Sequence, residues 1–249
     1  MLTEERYAAI LKILAEKKAV TVLELTKALQ TSESTVRRDL TALHRSGRLY
    51  KVYGGATTID NNYSSSEEDM QTKWDLYPEE KVAIGRKAAE LITGEDFVYI
   101  DAGSTTLHLI DFLTDNNGAT FVTNGMQHAV RLLAKGFKVF IIGGAVKAVT
   151  EAVVGTEALK SLENYNFTKG FFGTNGISPK SGFSTPDADE GAVKSEAMAR
   201  CKSAFVLADS SKFNKISPIT FAGISSATII TGRLEDKKYR DYTTVLEGE

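Results

Sequence analysis

The feature that most constrains this chain is a repeated order along its last two thirds. A short apolar run meets a cluster of glycine, serine, threonine, asparagine or aspartate, and a stretch with helical periodicity often follows. Phe97-Val98-Tyr99-Ile100 leads into Asp101-Ala102-Gly103-Ser104-Thr105-Thr106 and an apolar-periodic segment through Leu113. Ala119 to Thr123 leads into Asn124-Gly125 and a helical pattern to about Lys135. Phe137 to Ile142 stops at Gly143-Gly144, and Phe167 to Phe172 stops at Gly173-Thr174-Asn175-Gly176. Ala204 to Ala208 meets Asp209-Ser210-Ser211-Lys212-Phe213, and Thr228 to Thr231 is a late strand. Strand and helix in alternation predict an α/β unit with a mostly parallel sheet covered on both faces.

In open sheets of this kind ligands bind beyond the carboxyl ends of the strands, where these clusters fall. Gly103-Ser104-Thr105-Thr106 at a helix start suits an anion, through exposed N–H groups, hydroxyl donors and the positive helix end. The lysine arrangement of a P-loop and the GxGxxG of a dinucleotide fold are both missing, so no nucleotide and no cofactor are expected. The candidate ligand residues are Asp101, Gly103, Ser104, Thr105, Thr106, Thr123, Asn124, Gly143, Gly144, Asn175, Gly176, Lys194, Asp209 and Lys212. Taken singly, each cluster also reads as an ordinary turn or cap. Glu190 and Lys194 stand four apart on a predicted helix, which reads as a surface ion pair.

The first 59 residues follow different rules. Thr3 is placed to cap a helix whose Tyr7, Ile10, Leu11 and Leu14 share a face. Thr21-Val22-Leu23-Glu24 has capping-box spacing, with Val22, Leu25 and Leu29 as the buried stripe behind it. Gln30-Thr31 makes a tight turn, Ser32 caps a third helix with Val36, Leu40 and Leu43 inward, and Gly47 ends it. The outward face then carries Ser34, Thr35, Arg37, Arg38 and Thr41, a layout that fits a DNA major groove. Two strands around Gly54-Gly55 read as a wing, with Lys51 and Tyr53 on it. Expected DNA-contacting residues are Ser32, Ser34, Thr35, Arg37, Arg38, Thr41, Lys51, Tyr53 and Gly54. The alternatives are a small helical unit with a solvated basic face, or a winged helix used for protein contacts.

Charge agrees with the first reading. Residues 1–59 hold ten lysines and arginines against six acids, while the remainder holds twenty against twenty-six, which the net charge of −2 conceals. Residues 60–75 are polar and serine-rich and read as a linker, with Trp74 anchoring its end. The expected organisation is therefore 1–59 winged helix-turn-helix, 60–75 linker and 76–249 ligand-sensing domain. One cysteine, Cys201, and three scattered histidines argue against a disulfide or a structural zinc site. With no long apolar run and no signal-peptide layout, a cytoplasmic protein without a membrane partner is expected.

Ser34-Thr35-Val36-Arg37-Arg38-Asp39-Leu40, then Leu43, Gly47 and Gly54-Gly55-Ala56, resembles the DeoR family of bacterial sugar-operon regulators. Tyr53 departs from the histidine that many members carry before the paired glycines. The resemblance extends to Asp101-Ala-Gly-Ser-Thr-Thr, Thr123-Asn124, Gly143-Gly144, Phe172-Gly173, Asn175-Gly176 and Asp209-Ser-Ser-Lys212-Phe213. Many members have aspartate where Thr168 stands. The resemblance implies a sensor domain similar in fold to ribose-5-phosphate isomerase and glucosamine-6-phosphate deaminase. It further implies repression at double-stranded operator DNA, modulated by a phosphorylated sugar, by a homodimer or homotetramer. Asn166 to Gly176 and Gly182 to Asp187 look most like fructose-operon repressors, which implies fructose 1-phosphate as effector. Two other readings stay open. One is a sugar-phosphate isomerase or deaminase with a DNA-binding head, using Asp101, Asp187 or Glu190 as base. The other is an architectural DNA-binding protein whose second domain is vestigial.

Overall fold

Short-range capping sets the three helices of the first unit: α1 (Thr3–Lys17), α2 (Val22–Leu29) and α3 (Glu33–Arg45). In the computed structural model Glu24 N donates to Thr21 Oγ1 at 3.1 Å and Thr21 N donates to Glu24 Oε2 at 2.8 Å, the reciprocal box read from the sequence. Gln30 closes α2 at φ 48°, and the Ser32 hydroxyl accepts from Thr35 N at 3.3 Å to open α3. Thr3 is already helical instead of standing outside α1 as its cap. Ile10, Leu14, Leu25, Val36, Leu40 and Leu43 fill the core between the helices. The described residues are 3–17, 19–46, 48–52, 54–58, 72, 74, 76–114 and 118–248. Gly47, Tyr53 and all of the linker but Thr72 and Trp74 lie outside them.

Strands β2 (Tyr50–Val52) and β3 (Gly55–Thr57) pair antiparallel as the expected wing. A third strand, β1 (Ala19–Thr21), pairs with the other side of β3 and was not foreseen, because three residues carry no readable period. β1 explains the second glycine of the pair. Gly54 takes the left-handed turn at φ 83°, while a Cβ on Gly55 would stand 2.1 Å from the Val20 carbonyl oxygen.

The chain groups into two compact units, 1–62 with 75–77, and 63–74 with 78–249. The second unit opens with α4 (Pro78–Ala89). It continues with β4 (Phe97–Ile100), α5 (Ser104–Asp111), β5 (Thr120–Thr123), α6 (Met126–Ala134) and β6 (Lys138–Ile141). A ribbon, β7 (Ala145–Lys147) with β8 (Ala152–Val154), precedes α7 (Thr156–Leu162) and β9 (Phe167–Gly173). After β10 (Gly176–Ser178) and β11 (Gly182–Thr185) come α8 (Ala188–Ala199), β12 (Cys201–Leu207), β13 (Ile219–Ala222), β14 (Thr228–Thr231) and β15 (Val245–Glu247).

The main sheet has seven strands in the order β15-β14-β12-β9-β4-β5-β6, and every pairing is parallel. Alternate side chains of β4 enter opposite cores, Tyr99 with Phe172 and Val193, and Val98 and Ile100 with Leu107 and Phe171. Both faces of the inner strands β4, β5 and β14 are covered, which is why these strands read as largely apolar runs, while the edge strand β6 is mostly exposed. Beyond the predicted strands lie β15, the ribbon, and a small antiparallel sheet β10-β11-β13. Strand order reverses beside β4: β5 and β6 extend one way, and β9 onward the other. Trp74 stacks on the His108 ring at 4.3 Å between centroids, the anchoring expected of it. Thr168 sits near the amino end of β9, donating to Asp96 Oδ1 at 2.7 Å, away from the ligand edge. Cys201 is half-buried against Gly170, and burial pushes its thiol up to about 12. Among the described residues no helix is long and apolar enough to cross a membrane, and no cluster of three or more His, Cys, Asp or Glu could hold a metal ion.

Candidate functional site

The head presents one polar helix face. Ser34, Arg37 and Arg38 are exposed on α3, with Thr35 and Thr41 half-buried beside them. Ser32 Oγ contacts Ser34 Oγ and Thr35 Oγ1, each at 2.9 Å, so the three hydroxyls form one cluster at the helix start. Arg37 reaches Glu33 at 3.4 Å with both side chains more than half exposed, a pair worth little in water. Arg38 has no hydrogen-bond or ion-pair partner among the described residues. Lys51 on β2 donates to Thr41 Oγ1 at 2.8 Å and ties the wing to α3. From behind, Arg6 grips the buried Asp39 through Nε at 2.8 Å and Nη2 at 3.1 Å, which fixes how α3 stands on α1.

The second candidate lies at the carboxyl edge of the sheet, where β4 and β9 diverge. Asp101, at the end of β4, is buried and accepts from Gly173 N at 3.0 Å across the divide. Lys194 of α8 ion-pairs with Asp101 Oδ2 and donates to the Gly173 carbonyl at 3.3 Å. Burial pushes the Asp101 carboxyl up from its ordinary value, and Lys194 opposes that rise. Gly103 begins α5 without any side-chain cap. A Cβ on Gly103 would come within 4.0 Å of Gly173 Cα, so the two glycines face each other at the switch point. Ser104 and Thr105 hydroxyls have no partner among the described residues, although both residues are buried. Thr106 differs: its hydroxyl lies 2.6 Å from the Asp101 carbonyl, 2.9 Å from that of Gly103 and 3.0 Å from His128 Nε2.

Other expected ligand residues brace the loops. Thr123 Oγ1 accepts from Gly125 N at 3.0 Å, and Asn124 Oδ1 accepts from Ala102 N at 2.7 Å. Their polar atoms hold the β4 and β5 loops in register. Asn175 Oδ1 accepts from Thr185 Oγ1 at 3.4 Å. Gly176 needs correcting: it lies inside β10, where a Cβ would stand 2.6 Å from the Lys215 carbonyl oxygen, so it is a packing glycine. Glu190 and Lys194 also differ from expectation. Both are buried and point to separate partners, Glu190 to Thr150 Oγ1 at 2.6 Å and Lys147 at 3.3 Å, Lys194 to Asp101.

Gly143 and Gly144 follow β6, while Asp209 and Lys212 follow β12. Those strands are four positions apart, about 19 Å at ordinary inter-strand spacing, so the whole set cannot close on one sugar phosphate. Around Asp209, burial favours the neutral acid, yet Lys212, Lys81 and bonds from Ser211 outweigh it and hold the carboxyl below its ordinary value. Lys212 stands 3.9 Å from Asp209 Oδ2.

His128 is wholly buried, and burial drives its imidazole down to about 3. The Thr106 hydroxyl has a single proton, and its shortest contact is the Asp101 carbonyl, so Nε2 of a neutral His128 donates to it. The folded value lies below the unfolded one, so protonation favours the unfolded chain. This stability is complete above about pH 6.5 and is lost toward pH 3, at up to about 1.4 kcal/mol per pH unit. Melting temperatures between about pH 7 and 5 check this: the fall is expected to be smaller in His128→Gln, and equal falls would show that the ring titrates freely.

Sequence reasoning missed Lys81, Glu80, Lys147 and Thr150. Lys81 had a signal: it occupies the stripe Lys81, Ile84, Gly85, Ala88 of α4, a cation on a buried face. Glu80 accepts from Ser210 N at 2.7 Å and Ser210 Oγ at 2.8 Å, joining α4 to the loop after β12. Lys147 pairs with Asp187 at 2.8 Å as well as with Glu190. It comes from a ribbon too short to announce itself.

Residues 6–62 match the DeoR-like helix-turn-helix domain, and residues 77–233 match the DeoR C terminal sensor domain. The chain belongs to the DeoR family. It is 41% identical to FruR of Bacillus subtilis (strain 168), an uncharacterized HTH-type transcriptional regulator, over 97% of this chain and 96% of that one. It is 31% identical to the lactose phosphotransferase system repressor of Staphylococcus aureus (strain N315), over 94% and 93%. A putative aga operon transcriptional repressor of Escherichia coli O157:H7 is 32% identical over 86% and 80%. Solved structures similar in part include ribose 5-phosphate isomerase A from Methanocaldococcus jannaschii, at TM-score 0.41 and 12% identity over 53% of each chain. The DeoR relatives carry the names of regulators, in line with a DNA-binding protein and not an enzyme.

Proposed function

We propose that this DeoR protein represses a sugar-utilisation operon and that a sugar phosphate in the β4–β9 cleft changes its hold on operator DNA. One observation carries the effector half of this reading. An uncapped helix start at the switch point stands beside two unpartnered hydroxyls and a buried lysine. Unsatisfied N–H groups, hydroxyl donors and a cation form a receptor for phosphate, with Asp101 and its neighbours left to hold sugar hydroxyls. The helix-turn-helix supplies the DNA half through Ser34, Thr35, Arg37, Arg38 and the wing.

The names of the relatives support a sugar operon, and the FruR likeness supports fructose 1-phosphate as the effector. The enzyme reading loses ground on the residues themselves. Asp101 is held by Lys194 and Gly173 N, and Asp187 caps α8 through Glu190 N at 2.9 Å, so neither is a free base. Two-fold operators call for two heads, so the working form is a homodimer or a pair of dimers.

The test is operator affinity at fixed salt, on DNA upstream of the protein's own operon, with fructose 1-phosphate and with fructose 6-phosphate. A large change with the first sugar alone is expected. Tight binding indifferent to a broad panel of sugar phosphates would remove the sensor, and absence of specific binding would remove the regulator.

A further inference from the structure

A helix start without a cap is open to an anion and equally open to fraying, so a different restraint must hold α5 in place. Gly103 supplies no side-chain cap. The restraint comes from beneath, from the loop after β5 and the first turn of α6. Asn124 Oδ1 accepts from Ala102 N at 2.7 Å, and the Asn124 amide donates to the Val153 carbonyl at 3.4 Å. His128 Nε2 meets the Thr106 hydroxyl at 3.0 Å, and that hydroxyl also reaches the carbonyls of Asp101 and Gly103. Thr106, Asn124 and His128 are at most 2% exposed. None of these bonds uses a backbone N–H or a hydroxyl of Ser104 or Thr105, so the helix start is fixed while its donors stay available.

The local sequence carries the mark of this brace. Gly125 has φ −95° and ψ 125°, a backbone that any residue adopts. The imidazole accounts for its missing side chain. A Cβ at Gly125 would stand 2.4 Å from His128 Nδ1, 2.9 Å from His128 Cγ and 3.2 Å from Ala102 Cβ. Gly125 and His128 therefore belong together: the glycine makes room, and the ring fills it and reaches Thr106. Burial, helped by Arg131 and Lys194, outweighs a contact with the Gly103 backbone and keeps the ring uncharged. A neutral ring donates from Nε2 without setting a second cation beside Lys194.

We propose that His128 is a positioning residue for effector binding: through Thr106 it holds the first turn of α5 in the pose that receives phosphate. The ring itself stays out of reach of the ligand. The proposal rests on the phosphate cleft argued above and names the group that keeps that cleft formed before the ligand arrives. Preformed donors lose less freedom on binding, which is how a buried side chain with no ligand contact sets affinity.

Calorimetric titration of the full chain with fructose 1-phosphate and with inorganic phosphate is the experiment. His128→Ala is expected to weaken both about tenfold, the worth of one buried hydrogen bond. His128→Gln, whose amide donates from a similar place, is expected to regain most of that loss. Gly125→Ala keeps the imidazole but displaces it, and is expected to repeat the loss seen in His128→Ala. Leu132→Ala, one turn further along α6 and wholly buried, is expected to lower the melting temperature while keeping the parent's affinities, which separates positioning from general loosening. His128→Ala and Gly125→Ala binding as the parent does, or Leu132→Ala binding as weakly as they do, would overturn the proposal and leave the cleft standing. A parent that takes up neither anion would overturn it together with the cleft.

Discussion

Replacing Arg37 or Arg38 with alanine is expected to weaken operator binding by more than about tenfold at fixed salt, with the head still folded. Neither side chain supports the core. Arg38 has no partner among the described residues, and Arg37 meets only Glu33 at 3.4 Å in an exposed pair that contributes little. Truncation therefore leaves the melting temperature near that of the parent, and any loss of affinity belongs to the DNA. Salt dependence sorts the contacts. An arginine that neutralises a phosphate weakens binding on all sequences and lowers the salt slope by about one. An arginine bidentate to guanine costs about 1–3 kcal/mol and relaxes preference at one base pair. If both variants bind as the parent does, α3 is not the helix that enters the groove.

The arginines could be named from sequence because the head is specified locally. Thr21 with Glu24 and Ser32 with Thr35 settle two helix starts within three residues each, and once α3 has a start its inward and outward faces follow. The inner strands β4, β5 and β14 were legible for another reason: covered on both faces, they must be largely apolar. Strand pairing at long range left no such trace. The ribbon, the β10-β11-β13 sheet, β1 and β15 are three or four residues long, too short to show a period, and β1 and β13 in addition pair with strands far along the chain. The cleft suffers from the same distance. Lys194 and Asp101 are 93 residues apart, and nothing near either one names the other. Spacing said correctly that Glu190 and Lys194 share a helix face, but spacing cannot say which face turns inward. Gly176 was a candidate because it follows a strand end, and the carbonyl of Lys215 packed against it belongs to a loop that sequence does not align with it.

Lys194→Met is expected to abolish the response of operator binding to sugar phosphate while leaving affinity without sugar within about threefold of the parent. The side chain sits at the switch point, inside the sensor unit, and its cation is the one group there that can pair with both Asp101 and an arriving phosphate. Its removal also strands Asp101. A buried carboxylate that loses its partner costs about 3–5 kcal/mol, so the variant is expected to melt lower. The pH dependence has a definite sign. Burial already raises the Asp101 carboxyl above its unfolded value, and without Lys194 it rises further. The folded variant then holds a proton that the unfolded chain releases, so its stability is greatest at lower pH and is lost as pH climbs through the raised value. Pairing the change with Asp101→Asn removes the stranded charge, and that double variant is expected to regain most of the melting temperature without regaining the response. The double variant separates the two roles: recovered stability with recovered response would make the ion pair a structural brace alone. Full response in Lys194→Met would place the phosphate elsewhere along the edge, with Lys212 beside Asp209 as the next cation to test.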